Sequence, residues 1–84
     1  MMLLPPEACR AARALLGWNQ QELAIHSGVS TSTIASLEAG NPVRAELSTK
    51  LLDAFASRGV RVVRDSSVGA VLRLDTRGSS LGGS

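Results

Sequence analysis

The chain has 84 residues, a formal net charge of +2, one cysteine, one histidine and two aromatic side chains, Trp18 and Phe55. A single domain of this size has much surface for little core, so a lone protomer is expected to be marginally stable, to gain from dimerisation and to be built around Leu, Val, Ile and Ala. Two aromatics exclude the stacking platforms of single-stranded nucleic-acid binders, and Cys9 with one His excludes an internal disulfide and a zinc set, so no metal or cofactor is expected.

Met1 to Pro6 is apolar but short, uncharged and broken by two prolines, which reads against a signal peptide or membrane span and for a soluble cytoplasmic protein with a reduced thiol. Pro5 and Pro6 suit the entrance of a helix, and Glu7 in its first turn suits the helix dipole. The first helix is expected from about Pro6 to Leu16, with Ala8, Ala12, Leu15 and Leu16 inward and Gly17 just past its end.

Trp18 opens the next unit, where Asn19 and Glu22 have the spacing of a capping box and Leu23 and Ala24 turn inward. This second helix should end near Ser27, with Gly28 supplying a left-handed turn and Val29 plugging it. Ser30 caps a third helix from Thr31 to about Ala39, which Gly40 terminates. After the loop Asn41-Pro42-Val43, the pattern Leu47, Leu51, Leu52, Phe55 predicts an amphipathic fourth helix from Arg44 to about Arg58, stopped by Gly59.

The period then changes. Val60 to Arg64 and Ala70 to Leu74 are short β-branched runs separated by Asp65-Ser66-Ser67-Val68-Gly69, a β-hairpin pattern, and 76–84 is a Gly/Ser-rich tail expected to be disordered. The expected organisation is therefore mainly α: a four-helix DNA-binding domain over 1–58, a hairpin over 59–75 for dimerisation or partner binding, and the tail.

Two short helices joined by a tight glycine-containing turn form the reading unit of a helix-turn-helix, whose second helix enters the major groove. Within Gln20 to Gly40, Leu23, Ala24, Val29, Ile34 and Leu37 fill the angle between the helices, and Ala24 must be small where they cross. The stretch Arg13-Ala14-Leu15-Leu16-Gly17-Trp18-Asn19-Gln20-Gln21-Glu22-Leu23-Ala24, then Gly28-Val29-Ser30 and Ile34-Ala35-Ser36-Leu37-Glu38-Ala39-Gly40, resembles the Cro and lambda-repressor (Xre-like) family of transcriptional regulators over about Glu7 to Phe55.

That resemblance implies a sequence-specific regulator of double-stranded DNA, a homodimer and not an enzyme, in a bacterial or phage setting on the nucleoid. It implies that Thr31, Ser32 and Ser36 face base edges and that Thr33 reaches a phosphate, beside the cap Ser30; the alternative is that these hydroxyls only solvate and cap the helix. Hydroxyls discriminate bases poorly, so thymine-methyl contact by threonine, water and DNA shape would have to assist. Gln20 matches the family's phosphate-contacting glutamine, or is simply a polar first-turn residue; Arg44 holds a phosphate or minor groove, or is a solvated loop charge.

The resemblance also implies a partly buried ion pair between Arg13 and Glu38 tying the first helix to the third, while Arg10 is left for phosphate or solvent and Lys50 and His26 are surface residues. Departing from the commoner fifth helix, Val60, Val62, Val71, Leu72 and Leu74 are expected to pack a hairpin on the fourth helix and join it to a twofold mate. Up to Arg44, three basic residues (Arg10, Arg13, Arg44) balance three acidic ones (Glu7, Glu22, Glu38), so no basic patch supplies non-specific affinity. Two other readings remain: an antitoxin-type regulator with a toxin partner, and a protein-interaction module that keeps the fold without reading DNA.

Overall fold

The computed structural model describes residues 3–65 and 69–74. Four helices come first: α1 (Pro6–Leu16), α2 (Gln20–Ser27), α3 (Thr31–Glu38) and α4 (Ala45–Ala56). Strands β1 (Val60–Asp65) and β2 (Gly69–Leu74) follow, antiparallel, with Val60 opposite Leu74 and Val62 opposite Leu72. The strands thus take in Asp65 and Gly69, which the turn pattern had placed between them. Residues 66–68 of the expected turn, the tail over 76–84 and the side chains of Val71, Leu72 and Leu74 lie outside the described residues.

Local chemistry punctuates the helices. Pro6 opens α1 behind an extended Pro5, where the missing amide hydrogen costs nothing. At α2, the Asn19 side chain accepts from the Glu22 amide at 2.8 Å while Glu22 accepts from the Asn19 amide at 2.8 Å. Gly28 closes that helix at φ 76°, a backbone state that a β-carbon disfavours. At α3, Ser30 accepts from the Thr33 amide at 3.2 Å. Arg44 is the residue before α4, with no side-chain cap, and the helix ends at Ala56, two residues short of the expected boundary.

The core is aliphatic, with Phe55 as its one buried ring: Ala8, Cys9 and Ala12 of α1, Leu23 of α2, Ile34 and Leu37 of α3, Leu51 and Ala54 of α4, and Val29 and Val60 meet there. One inward assignment is corrected. Leu15 is 53% exposed, and the buried face of α1 runs instead through Ala8, Cys9 and Ala12, with Leu16 packed at its edge. The next-door Leu15 is turned about 100° away by the helical repeat. Leu4 is buried too, and its amide donates to the buried Ser48 hydroxyl at 3.4 Å, which leashes the start of the chain to α4. Val60 is fully buried in the core and Val62 packs half-buried against it, so β1 lies on α4.

Candidate nucleic-acid interface

Because Ile34 and Leu37 anchor α3 in the core, the opposite side of the helix faces solvent. Thr31, Ser32 and Ala35 are exposed there, and Thr33 and Ser36 are half-buried. Ser30 is also exposed, and its hydroxyl is committed to the start of the helix: besides capping, it donates to the Thr33 hydroxyl at 3.0 Å. A shallow open depression of about 380 Å³ runs along this side, lined by Ser32, Thr33, Ser36, Pro42, Val43, Arg44 and Leu47. Arg44 stands at its rim with an exposed guanidinium 3.5 Å from the equally exposed Glu46 carboxylate, a pairing that solvent makes weak.

The inner end of α3 is organised by one carboxylate. Arg13 grips Glu38 with two parallel hydrogen bonds, Nε to Oε2 at 2.8 Å and Nη2 to Oε1 at 2.9 Å, and its third nitrogen, Nη1, donates to the Trp18 carbonyl at 3.0 Å. Gln20 Nε2 donates to Glu38 Oε1 at 3.1 Å, the buried Cys9 thiol lies beside the same carboxylate, and Arg10 Nη1 donates to the Glu38 main-chain carbonyl. Burial works to raise the Glu38 carboxyl above its ordinary range, but these hydrogen bonds and the Arg13 charge outweigh it and hold the group below that range. Burial and the neighbouring carboxylate push the Cys9 thiol far above its ordinary value, so it stays protonated and unreactive.

A helix-turn-helix family model matches residues 10–58, more than half of the chain, and takes in Arg13, Gln20, Glu38, the turn and α3 together. The chain belongs to this family, of the Xre and lambda-repressor type. No curated protein matches it. Membership makes the protein a DNA-binding helix-turn-helix regulator in general terms. No helix among the described residues is long and apolar enough to cross a membrane. Among the described residues no cluster of His, Cys, Asp or Glu is arranged to hold a metal ion.

Within this helix-turn-helix domain, Ser32, Thr33, Ser36 and Arg44 share one depression, and Ser30 and Thr31 sit at the N-terminal end of the same helix. Gln20 is elsewhere engaged: one of its amide hydrogens is held by Glu38, which leaves the other hydrogen and Oε1 for an outside partner. The Arg13–Glu38 pair forms as a bidentate bridge. Arg10, expected to face phosphate or solvent, is exposed, and its Nη1 is also hydrogen-bonded across to the end of α3. His26 is exposed as expected, but its ring stacks on Trp18 with centroids 4.2 Å apart and planes 7° apart, and Arg58 lies 5.9 Å above the same indole.

Three contributors escaped the reading of the sequence: Cys9 in the hub, Ala35 on the outward face of α3, and the Trp18–His26 stack. Cys9 sits four residues before Arg13 and Ala35 four residues after Thr31, so helical spacing could have found both. The stack joins residues eight apart across a helix start, and no spacing rule announces it.

Proposed function

We propose that the protein is a sequence-specific repressor that places α3 in the major groove of double-stranded DNA as a homodimer. The observation that carries this reading is the division of α3: every long polar group at its inner end is tied into the fold, while Thr31, Ser32 and Ser36 face outward beside Arg44. In this arrangement Thr31, Ser32 and Ser36 meet base edges. Thr33, which accepts from Ser30 and keeps its own proton, donates to a phosphate with Arg44 and the free side of Gln20. Ser30 contributes mainly by fixing the first turn.

The dimer reading rests on the two strands. A two-stranded sheet has open edges that invite a second copy, and two recognition helices about 34 Å apart would then meet successive major grooves. Val60 and Val62 serve this arrangement by seating β1 on α4. Sedimentation of the full chain at micromolar concentration should give the mass of two protomers, and a monomer there, still monomeric on the operator duplex, ends the dimer reading.

The test of the DNA reading is fluorescence polarisation against duplexes from the protein's own upstream region with competitor DNA and varied salt. Replacing Thr31 and Ser32 together with Glu should weaken specific binding at least about 100-fold through repulsion from phosphates, with the melting temperature unchanged. A second reading, a protein-interaction module that does not touch DNA, draws on the balanced charge of the first 44 residues and the absence of Arg or Lys from α3. Specific binding that is absent from every duplex, or indifferent to the double replacement, favours that module. A toxin partner would show as a second chain co-purifying in fixed ratio.

A further inference from the structure

The outward face of α3 carries short side chains only, and this restricts what it can recognise. The helix has no Arg, Lys, Asn or Gln, and its one charged residue, Glu38, is spent in the hub. The bidentate readings of guanine by Arg or Lys and of adenine by Asn or Gln are therefore closed to it. Its outward hydroxyls, on Thr31, Ser32 and Ser36, can donate or accept at will and so suit every base pair. What remains with power to discriminate is shape and methyl contact. Thr31 and Ala35 are both exposed and stand four residues apart on one face, which sets their β-carbons about 6 Å from each other, with Ser32 and Ser36 between and beside them. With nothing longer on the face, the helix backbone can approach the groove floor closely enough for these methyls to touch a base.

We infer that the methyl groups of Thr31 and Ala35 are the base-reading element of α3, and that they recognise the 5-methyl group of a pyrimidine in the major groove. Thymine is the only unmodified DNA base that presents a methyl there, and 5-methylcytosine presents one at the same place. Ala35 thereby becomes a specificity-determining residue, and the hydroxyls of Ser32 and Ser36 serve position more than sequence. The inference rests on the DNA-reading role proposed above for α3, and it predicts operators marked by thymines and sensitive to cytosine methylation.

The test begins by selecting duplexes from a random library with the full chain. Each thymine of the selected half-site is then replaced by uracil, which removes the methyl and keeps the pairing edge. At one thymine per half-site, uracil should weaken binding about fourfold, the value of one buried methyl-sized group. Placing 5-methylcytosine opposite guanine at that position should bind about fourfold more tightly than cytosine. Thr31→Ser keeps the hydroxyl and removes the methyl, so the preference for thymine over uracil should fall towards unity; Ala35→Gly should do the same. Because each variant is scored by its own ratio between two duplexes, any loss of helix stability cancels. Equal binding of uracil and thymine duplexes at every position, or a ratio that neither variant alters, overturns the inference while the selected sequence upholds DNA reading. A library from which no sequence is enriched removes the reading of α3 itself, and this inference with it.

Discussion

The two ends of α3 are built on opposite principles. At Glu38 a buried carboxylate gathers two bonds from Arg13 and one from Gln20, with the Cys9 thiol beside it, so most acceptor sites are filled. At Thr31 and Ser32 the side chains are exposed, and across the described residues no intramolecular hydrogen bond is made by either hydroxyl. One end holds the helix in the fold and the other presents it, over only eight residues. With the DNA-reading role proposed for α3, stability and recognition are separated along a single helix, so a substitution at one end should leave the property of the other intact.

The sharpest way to break that division is to remove the carboxylate. Glu38→Ala strands the Arg13 guanidinium and the Gln20 amide together, and should cost about 3 kcal/mol in urea-induced unfolding. A double-mutant cycle with Arg13→Ala should show strong coupling, since either loss alone leaves a buried charge unpaired. The same carboxylate sets an acid dependence. Its folded-state value lies below the unfolded one, so its stabilisation is complete above the unfolded carboxylate range, about pH 4.3, and is lost as pH falls through the folded value. Glu38→Gln should flatten that part of the stability profile. An unchanged acid slope would show that other carboxylates govern it.

The turn between the helices tests whether the presented end depends on geometry rather than on its own side chains. A β-carbon at Gly28 would meet nothing within 4 Å, so Gly28→Ala changes only the backbone preference at φ 76°. Holding a non-glycine residue there should cost about 1–2 kcal/mol by calorimetry. DNA affinity measured well below the melting point should fall less than fivefold if the turn keeps its shape. A large affinity loss with intact stability would mean that α3 has been re-aimed.

How far the sequence discloses this division depends on how local each signal is. The starts and stops of α2 and α3 are legible because Asn19, Glu22, Gly28 and Ser30 act within four residues of themselves. The buried side of α1 is less so: adjacent Leu15 and Leu16 compete for it, and the small Ala8 and Ala12 weight the pattern too lightly to decide. On α2, Leu23 is buried while Ile25 is 80% exposed, as their separation of about 200° around the helix requires once Leu23 is the inward residue. The bridge from Arg13 to Glu38 spans 25 residues and follows from the family resemblance, whereas the roles of Gln20 and Cys9 in it depend on how three elements converge. Tertiary proximity of that kind leaves no mark on spacing.

Ser30 stands where the two principles meet, since its hydroxyl both caps α3 and lies on the exposed side. Ser30→Ala removes the acceptor for the Thr33 amide and should cost about 1 kcal/mol. Ser30→Asp retains a strong cap and adds favourable charge at the helix start, so stability should match or slightly exceed that of the parent. The same carboxylate would face phosphates if this end of α3 meets DNA, and specific affinity should then drop about tenfold at low salt, with the loss shrinking as ionic strength rises. The pair of variants thus separates stability from affinity: Ala weakens the fold more than the contact, Asp the contact and not the fold. If both variants change the two quantities in parallel, the separation along α3 fails at the residue where its two roles overlap.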